Sequence, residues 1–200
     1  MEENKYTLAG WLAVVQAILF PVAIVLGIIE AVAAAKLFDI HRPFIGPTDL
    51  LMLVFTVIAV YTLWKFRALL HERYNYHDLD LLILISIWWT VLFQLVGLGI
   101  NVILTLAWPV DKAVFAIVYV AFFTAAMVSI GIVDILIAVK LLKDKENFGE
   151  YIRGFGYVTM AAGICEVTVL LSLLSLVLIP VSSIILALIF FRDKQEVEFV

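Results

Sequence analysis

The sequence predicts an all-α, polytopic transmembrane helical bundle, and the first two observations behind this are its composition and its apolar runs. Hydrophobic residues make up 65% of the chain and charged residues 15%, whereas soluble domains average roughly 45–50% and 25%. The apolar residues occur in long runs, and the run from Leu81 to Ala107 contains no charged residue. As a helix it would measure roughly 40 Å, enough to cross a hydrocarbon core about 30 Å thick.

The third observation is a polar face along this same run. Small and polar residues recur there at intervals of three and four, which is the spacing of one helix face. An amide facing hydrocarbon lacks hydrogen-bonding partners, so this face should contact protein or water, and other helices should surround it. The adjacent Trp88 and Trp89 point about 100° apart, so one ring should pack inside and the other should meet lipid. The residues of the face are Ser86, Thr90, Gln94, Gly97, Asn101 and Thr105.

Six apolar segments are expected to fill the 200 residues as a single integral membrane domain. Pro21 lies in the middle of the first segment and should kink it. The stretch from Phe155 to Phe191 would measure roughly 55 Å as one helix, so it is interpreted as a hairpin with a turn near Pro180. Its second arm is short, and five full spans with a partial sixth is the alternative. The approximate spans are 8–35, 49–70, 79–107, 111–143, 154–178 and 180–192.

The distribution of Lys and Arg predicts the orientation, because cytoplasmic loops are rich in these residues. Six passes place ten of them on the side of both termini and three on the other side. This pattern predicts a protein of the plasma (inner) membrane with both termini in the cytoplasm. The ten are Lys5, Lys65, Arg67, Arg73, Lys140, Lys143, Lys145, Arg153, Arg192 and Lys194, and the three are Lys36, Arg42 and Lys112.

Several function classes receive no support from the sequence. The net charge of −4 belongs to short loops and tails and argues against nucleic-acid binding. No phosphate loop, dinucleotide motif, HExxH or Ser/His/Asp arrangement is found, so neither an enzyme nor a cofactor is predicted. Four residues of one connection are able to ligate a metal, but their spacing matches no known ligand pattern and no metal site is predicted. They are His71, His77, Asp78 and Asp80.

Glu166 is the strongest candidate functional residue, since it is the acid that the sequence places deepest in the membrane. An ionised carboxylate there is costly, so it should be protonated, paired or beside water. Intramembrane acids commonly serve ion or proton pathways, and Gln94 is expected at a similar depth. The alternative is a neutral Glu that hydrogen-bonds two helices together. Asp134 and Glu30 are expected near the two membrane boundaries, where they would either attract cations or simply be solvated.

Two functions remain open from the sequence alone. One is an oligomeric channel or transporter, whose polar path is formed by Glu166, Gln94, Asn101 and Thr90, with Asp134 and Glu30 at its mouths. The other is a non-catalytic membrane subunit or scaffold that binds the helices of a partner protein. An intramembrane enzyme is the weakest interpretation. The expected partners are the lipid bilayer and either further copies of the chain or another membrane protein.

Overall fold

A computed structural model describes residues 5–36, 46–106, 112–168 and 171–192. Over these ranges the chain forms six α-helices and no strand, which confirms the predicted all-α bundle. A short 3₁₀ turn, Lys145–Asn147, precedes the fifth helix. The helices are α1 Thr7–Lys36, α2 Pro47–Tyr74, α3 Asp80–Leu106, α4 Lys112–Lys143, α5 Glu150–Val167 and α6 Ser172–Phe191.

Five of these helices, all except α5, are long and apolar enough to cross a membrane. The chain therefore has the architecture of a helical membrane protein. The short helix is α5, with 18 residues, and at 1.5 Å per residue it measures roughly 27 Å. Pro21 lies inside α1, as the sequence predicted.

The last hairpin turns earlier than the sequence predicted. The α5 helix ends at Val167 and α6 begins at Ser172, whereas Pro180 lies inside α6. Proline is tolerated within membrane helices, where neighbouring helices and side chains satisfy the backbone groups it leaves unpaired. The Thr168 hydroxyl bonds the carbonyls of Ile164 and Cys165 and so closes the end of α5. The predicted spans 154–178 and 180–192 are therefore replaced by these two helices.

The six helices form a closed ring. Each helix packs against the next one in the chain, and α6 packs against α1. The chain direction alternates around the ring, so the starts of α1, α3 and α5 lie at the same end as the ends of α2, α4 and α6. We call this the terminal end, because it carries the first and last described residues of the chain.

Polar contacts between helices concentrate at the terminal end. The Tyr6 hydroxyl donates to Glu72 at 2.8 Å, and Arg73 donates to the carbonyl of Arg192 at 2.6 Å. Tyr76 donates to Asp144 at 3.0 Å, and burial together with this bond raises the pKa of the Tyr76 phenol. These bonds tie α1 to α2, α2 to α6 and the α2–α3 connection to the end of α4.

Beneath these contacts lies the main apolar cluster of the molecule, which we call the terminal core. It takes side chains from all six helices and includes the stacked rings of Tyr6 and Phe190. Its buried members are Tyr6, Ala9, Ala13, Phe66, Leu69, Leu70, Leu79, Ile83, Ile87, Ile137, Leu141, Phe148, Ile152, Phe155, Leu186, Ala187, Ile189 and Phe190.

Candidate functional site

A cavity of about 490 Å³ lies inside the ring, and all six helices contribute to its wall. Five of its lining residues also belong to the terminal core: Phe66, Ile83, Ile137, Phe155 and Leu186. The cavity therefore ends where the terminal core begins. Packed side chains separate it from the terminal end of the bundle.

The helices α4 and α5 meet at this cavity through two glycines. A Cβ atom added at Gly163 would lie 2.6 Å from the carbonyl oxygen of Gly131. One added at Gly131 would lie 2.7 Å from the carbonyl oxygen of Gly163 and 2.9 Å from Cβ of Glu166. These distances are too short for any side chain, so only glycine allows the two backbones to approach this closely. The approach presses Glu166 against α4.

The same crossing brings a second acid close to Glu166. Asp134 follows Gly131 by three positions, so both residues lie on the same face of α4. Asp134 and Glu166 both line the cavity and are close enough to interact electrostatically. The sequence placed them at different depths. The structure instead makes them a pair, because the glycine contact fixes the relative height of the two helices.

Glu166 is buried and incompletely bonded. Its exposed fraction is 5%, and its Oε2 atom has no hydrogen-bond partner among the described residues. It lies roughly 20 Å along α5 from Arg153, so it is far from the charged terminal end. The Nε1 atom of Trp89, across the cavity on α3, is also buried without a partner in the described structure. Two polar groups in one cavity wall therefore lack partners within the described chain.

The polar face predicted on the third segment points into the cavity over part of its length. Ser86, Thr90 and Gln94 line the wall, and Gln94 accepts a bond from Thr56 of α2 at 3.5 Å. Trp89 also lines the cavity, while Trp88 is 72% exposed. The expected division between an inner and an outer tryptophan is therefore confirmed.

Further toward the other end of α3, Gly97 of the predicted face has open space beside it within the described chain. A Cβ added at Gly97 would meet nothing within 4 Å. The side chains of Asn101 and Thr105 lie outside the described residues, so the part assigned to Asn101 in the polar path stays a prediction.

Glu30 lies away from the described wall of the cavity. Its Oε1 atom accepts the backbone N–H of Thr48 at 3.1 Å, in the first turn of α2. A carboxylate is stabilised at this position because the first N–H groups of a helix have no partner within the helix. The geometry therefore gives Glu30 a capping contact between α1 and α2, and its place at a mouth of the path stays a prediction.

A second cluster of titratable residues lies at the terminal end. The ligand atoms of His71, His77 and Asp80 all lie within 4.8 Å of one another. However, Arg67 donates to both carboxylate oxygens of Asp80 at 3.0 Å, and His71 contacts the same carboxylate. A metal ion would have to displace a bidentate guanidinium from its ligand. As it stands, this cluster joins α2 to α3, and Asp78 is not part of it.

Several lining residues were not predicted as site residues. On α6, Ser182 and Ser183 follow Pro180 closely and both line the cavity, and the hydroxyl oxygen of Ser182 lies 3.5 Å from that of Thr159 on α5. Gln16 of α1 accepts a bond from Thr62 of α2 at 3.1 Å. The one available signal was Gln16 itself, an amide deep in an apolar segment. Isolated hydroxyl residues carry little information in sequence, because they can bond to the backbone of their own helix.

Comparisons of the chain with protein-family models, curated proteins and solved structures found no match.

Proposed function

We propose that this protein is a small membrane transporter, non-enzymatic, that moves a proton or another cation by way of Glu166. The observation that carries the proposal is the acidic pair in the wall of the cavity inside the ring. Glu166 is 5% exposed with one carboxyl oxygen unpartnered among the described residues. A residue serving as structural glue would be expected to have both oxygens bonded, because an unpaired buried carboxyl group is costly.

The charge of the wall favours a cation. Among the described lining residues the ionisable ones are Asp134 and Glu166. The other helices contribute apolar, hydroxyl, amide and indole groups to the described wall. An anion would therefore meet no opposite charge there, whereas a proton or cation would.

The packed terminal core favours a transporter over a permanently open channel. It closes the cavity toward the terminal end, as the five residues shared by the cavity wall and the core indicate: Phe66, Ile83, Ile137, Phe155 and Leu186. A transported species would cross only when these side chains separate. Movement of packed elements around a fixed site is the general basis of alternating access.

The proposal is tested by proton flux into liposomes that contain the purified protein and a trapped pH-sensitive dye. We expect the wild-type protein to carry a flux that varies with pH, and Glu166→Gln to lose most of it. The matched control is Glu150→Gln, which changes an exposed acid in the first turn of the same helix and should leave the flux unchanged. Absence of flux at every pH would reject the transporter.

A membrane subunit or scaffold is the second candidate, and one feature of α3 favours it. Gly99 is exposed on the side of α3 opposite Gly97, and no other described atom lies within 4 Å of a Cβ added there, so this position is open to a helix from elsewhere. A partner protein or a second copy of the chain would fit against it. If flux is absent, cross-linking from Gly99→Cys would identify what packs there.

A further inference from the structure

The cavity has the size of a binding site for an organic molecule. Its volume is about 490 Å³, and ligand pockets typically measure roughly 300–1,000 Å³. A single water molecule occupies about 30 Å³ in the liquid. The path of a proton therefore requires far less space than the ring encloses.

Aromatic rings line this cavity from five of the six helices. Examples are Phe20 of α1, Phe55 of α2, Trp89 of α3, Phe123 of α4 and Phe155 of α5. Aromatic rings are apolar, but their faces carry partial negative charge and attract cations. A wall of this kind suits a ligand that is both hydrophobic and positively charged.

Two polar groups in the wall have no hydrogen-bond partner in the described structure. Oε2 of Glu166 is an acceptor when the carboxyl group is ionised, and an ammonium N–H would complete it. The Trp89 Nε1–H can only donate, so it would bond a water molecule held in the cavity or an acceptor on the ligand. Both atoms are buried without a partner in the described structure. A small inorganic cation would fill only a small part of this volume and would leave most of the aromatic wall without a contact.

We infer that the cavity binds a hydrophobic amine in its protonated form, with the ammonium group against Glu166 and the apolar body among the aromatic rings. This inference rests on the proposed transporter function and names its substrate class. Asp134 also lines the wall, and its carboxyl group is a second acceptor that favours the same ligand.

The inference is tested by calorimetric titration of the purified protein in a neutral detergent. The probes are 4-phenylbutylamine, which is protonated at neutral pH, and 4-phenylbutanol, a neutral molecule of nearly the same shape. Titrations into empty micelles give the partitioning to be subtracted. We expect the amine to bind the wild-type protein, and the alcohol to bind about tenfold more weakly or worse, as expected for loss of a charge-assisted buried hydrogen bond.

The variants distinguish binding in the cavity from non-specific binding to the apolar outer surface of the protein. Glu166→Gln should weaken amine binding by a similar factor, about tenfold, and Glu150→Gln should not change it. If Glu166→Gln does not purify as a folded protein, Trp89→Leu replaces it. This variant should weaken amine binding, because it removes an aromatic ring from the wall. Equal binding of amine and alcohol, or an amine affinity that none of these cavity variants changes, would overturn the inference.

The result is distinguishable from that of the flux assay. Proton flux that depends on Glu166, without amine binding, would reject the proposed amine substrate and support the transporter function. Amine binding that depends on Glu166, without flux of protons or amine, would support the binding site and reject the transporter function.

Discussion

The position of Glu166 lowers the stability of the folded protein, and the proposed function explains why an acid lies there. Its carboxyl group is taken out of water, set beside a second acid and left with one oxygen unpartnered among the described residues. Each of these features lowers the stability of the folded state. Residues of this kind persist where a function requires them, and the surrounding packing compensates for the cost.

A stability measurement distinguishes this role from structural glue. Glu166→Leu keeps a side chain of similar bulk and removes the buried carboxyl group, so it should raise the free energy of unfolding by about 1–2 kcal/mol. The measurement is unfolding in mixed detergent micelles followed by circular dichroism. A loss of stability would mean that the carboxyl group bonds the helices together.

At the scale of whole elements, the crossing of α4 and α5 positions the site. Gly131 and Gly163 let the two backbones touch, and this sets the height of α5 against α4. The short helix α5 has less apolar length than the others and is held between α4 and α6. The acidic pair therefore depends on a backbone contact rather than on any bond between side chains.

This dependence predicts opposite results for two glycines of α5. Gly163→Ala would place its Cβ 2.6 Å from the Gly131 carbonyl oxygen and 3.1 Å from the backbone nitrogen of Ile135, so it should destabilise the protein by about 1–3 kcal/mol. Gly154→Ala meets nothing within 4 Å and should leave stability unchanged or raise it by up to about 1 kcal/mol. Both are measured by the same micelle unfolding. Equal effects would show that the crossing is not tight.

At the scale of the whole molecule, the ring is asymmetric along its axis. One end is closed by the terminal core and cross-linked by polar bonds, and the cavity lies beyond it. Basic residues, among them Arg67, Arg73, Lys140 and Arg192, also lie toward the closed end. Since cytoplasmic loops are rich in Lys and Arg, the closed end is proposed to face the cytoplasm.

Accessibility of single cysteines tests this orientation. Cys165 is the one cysteine of the chain, so Cys165→Ala gives a background free of thiols. In that background Leu171→Cys, in the α5–α6 connection, should react with a membrane-impermeant maleimide in intact cells. Glu146→Cys, at the terminal end, should react only after permeabilisation. The reverse pattern would invert the proposed topology.

Particular residues show which features of the structure could be predicted from the sequence alone. The polar spacing of Ser86, Thr90 and Gln94 located one wall of the cavity, because helix periodicity fixes which side chains share a face. The turn near Pro180 was misplaced, because proline ends helices in water but is accommodated between membrane helices. The contact between the Glu30 carboxylate and the start of α2 could not be predicted, since nothing local in the sequence indicates it.

By itself the sequence determined that this is a six-helix membrane bundle with a buried acid, because hydropathy and helical period are local properties of the chain. Only the tertiary structure decided that Glu166 lies beside Asp134 and borders an aromatic cavity, and that the cavity is closed at one end. Those relations depend on how closely two helices approach and at what height. Gly131 and Gly163 set both through a contact between residues far apart in the chain.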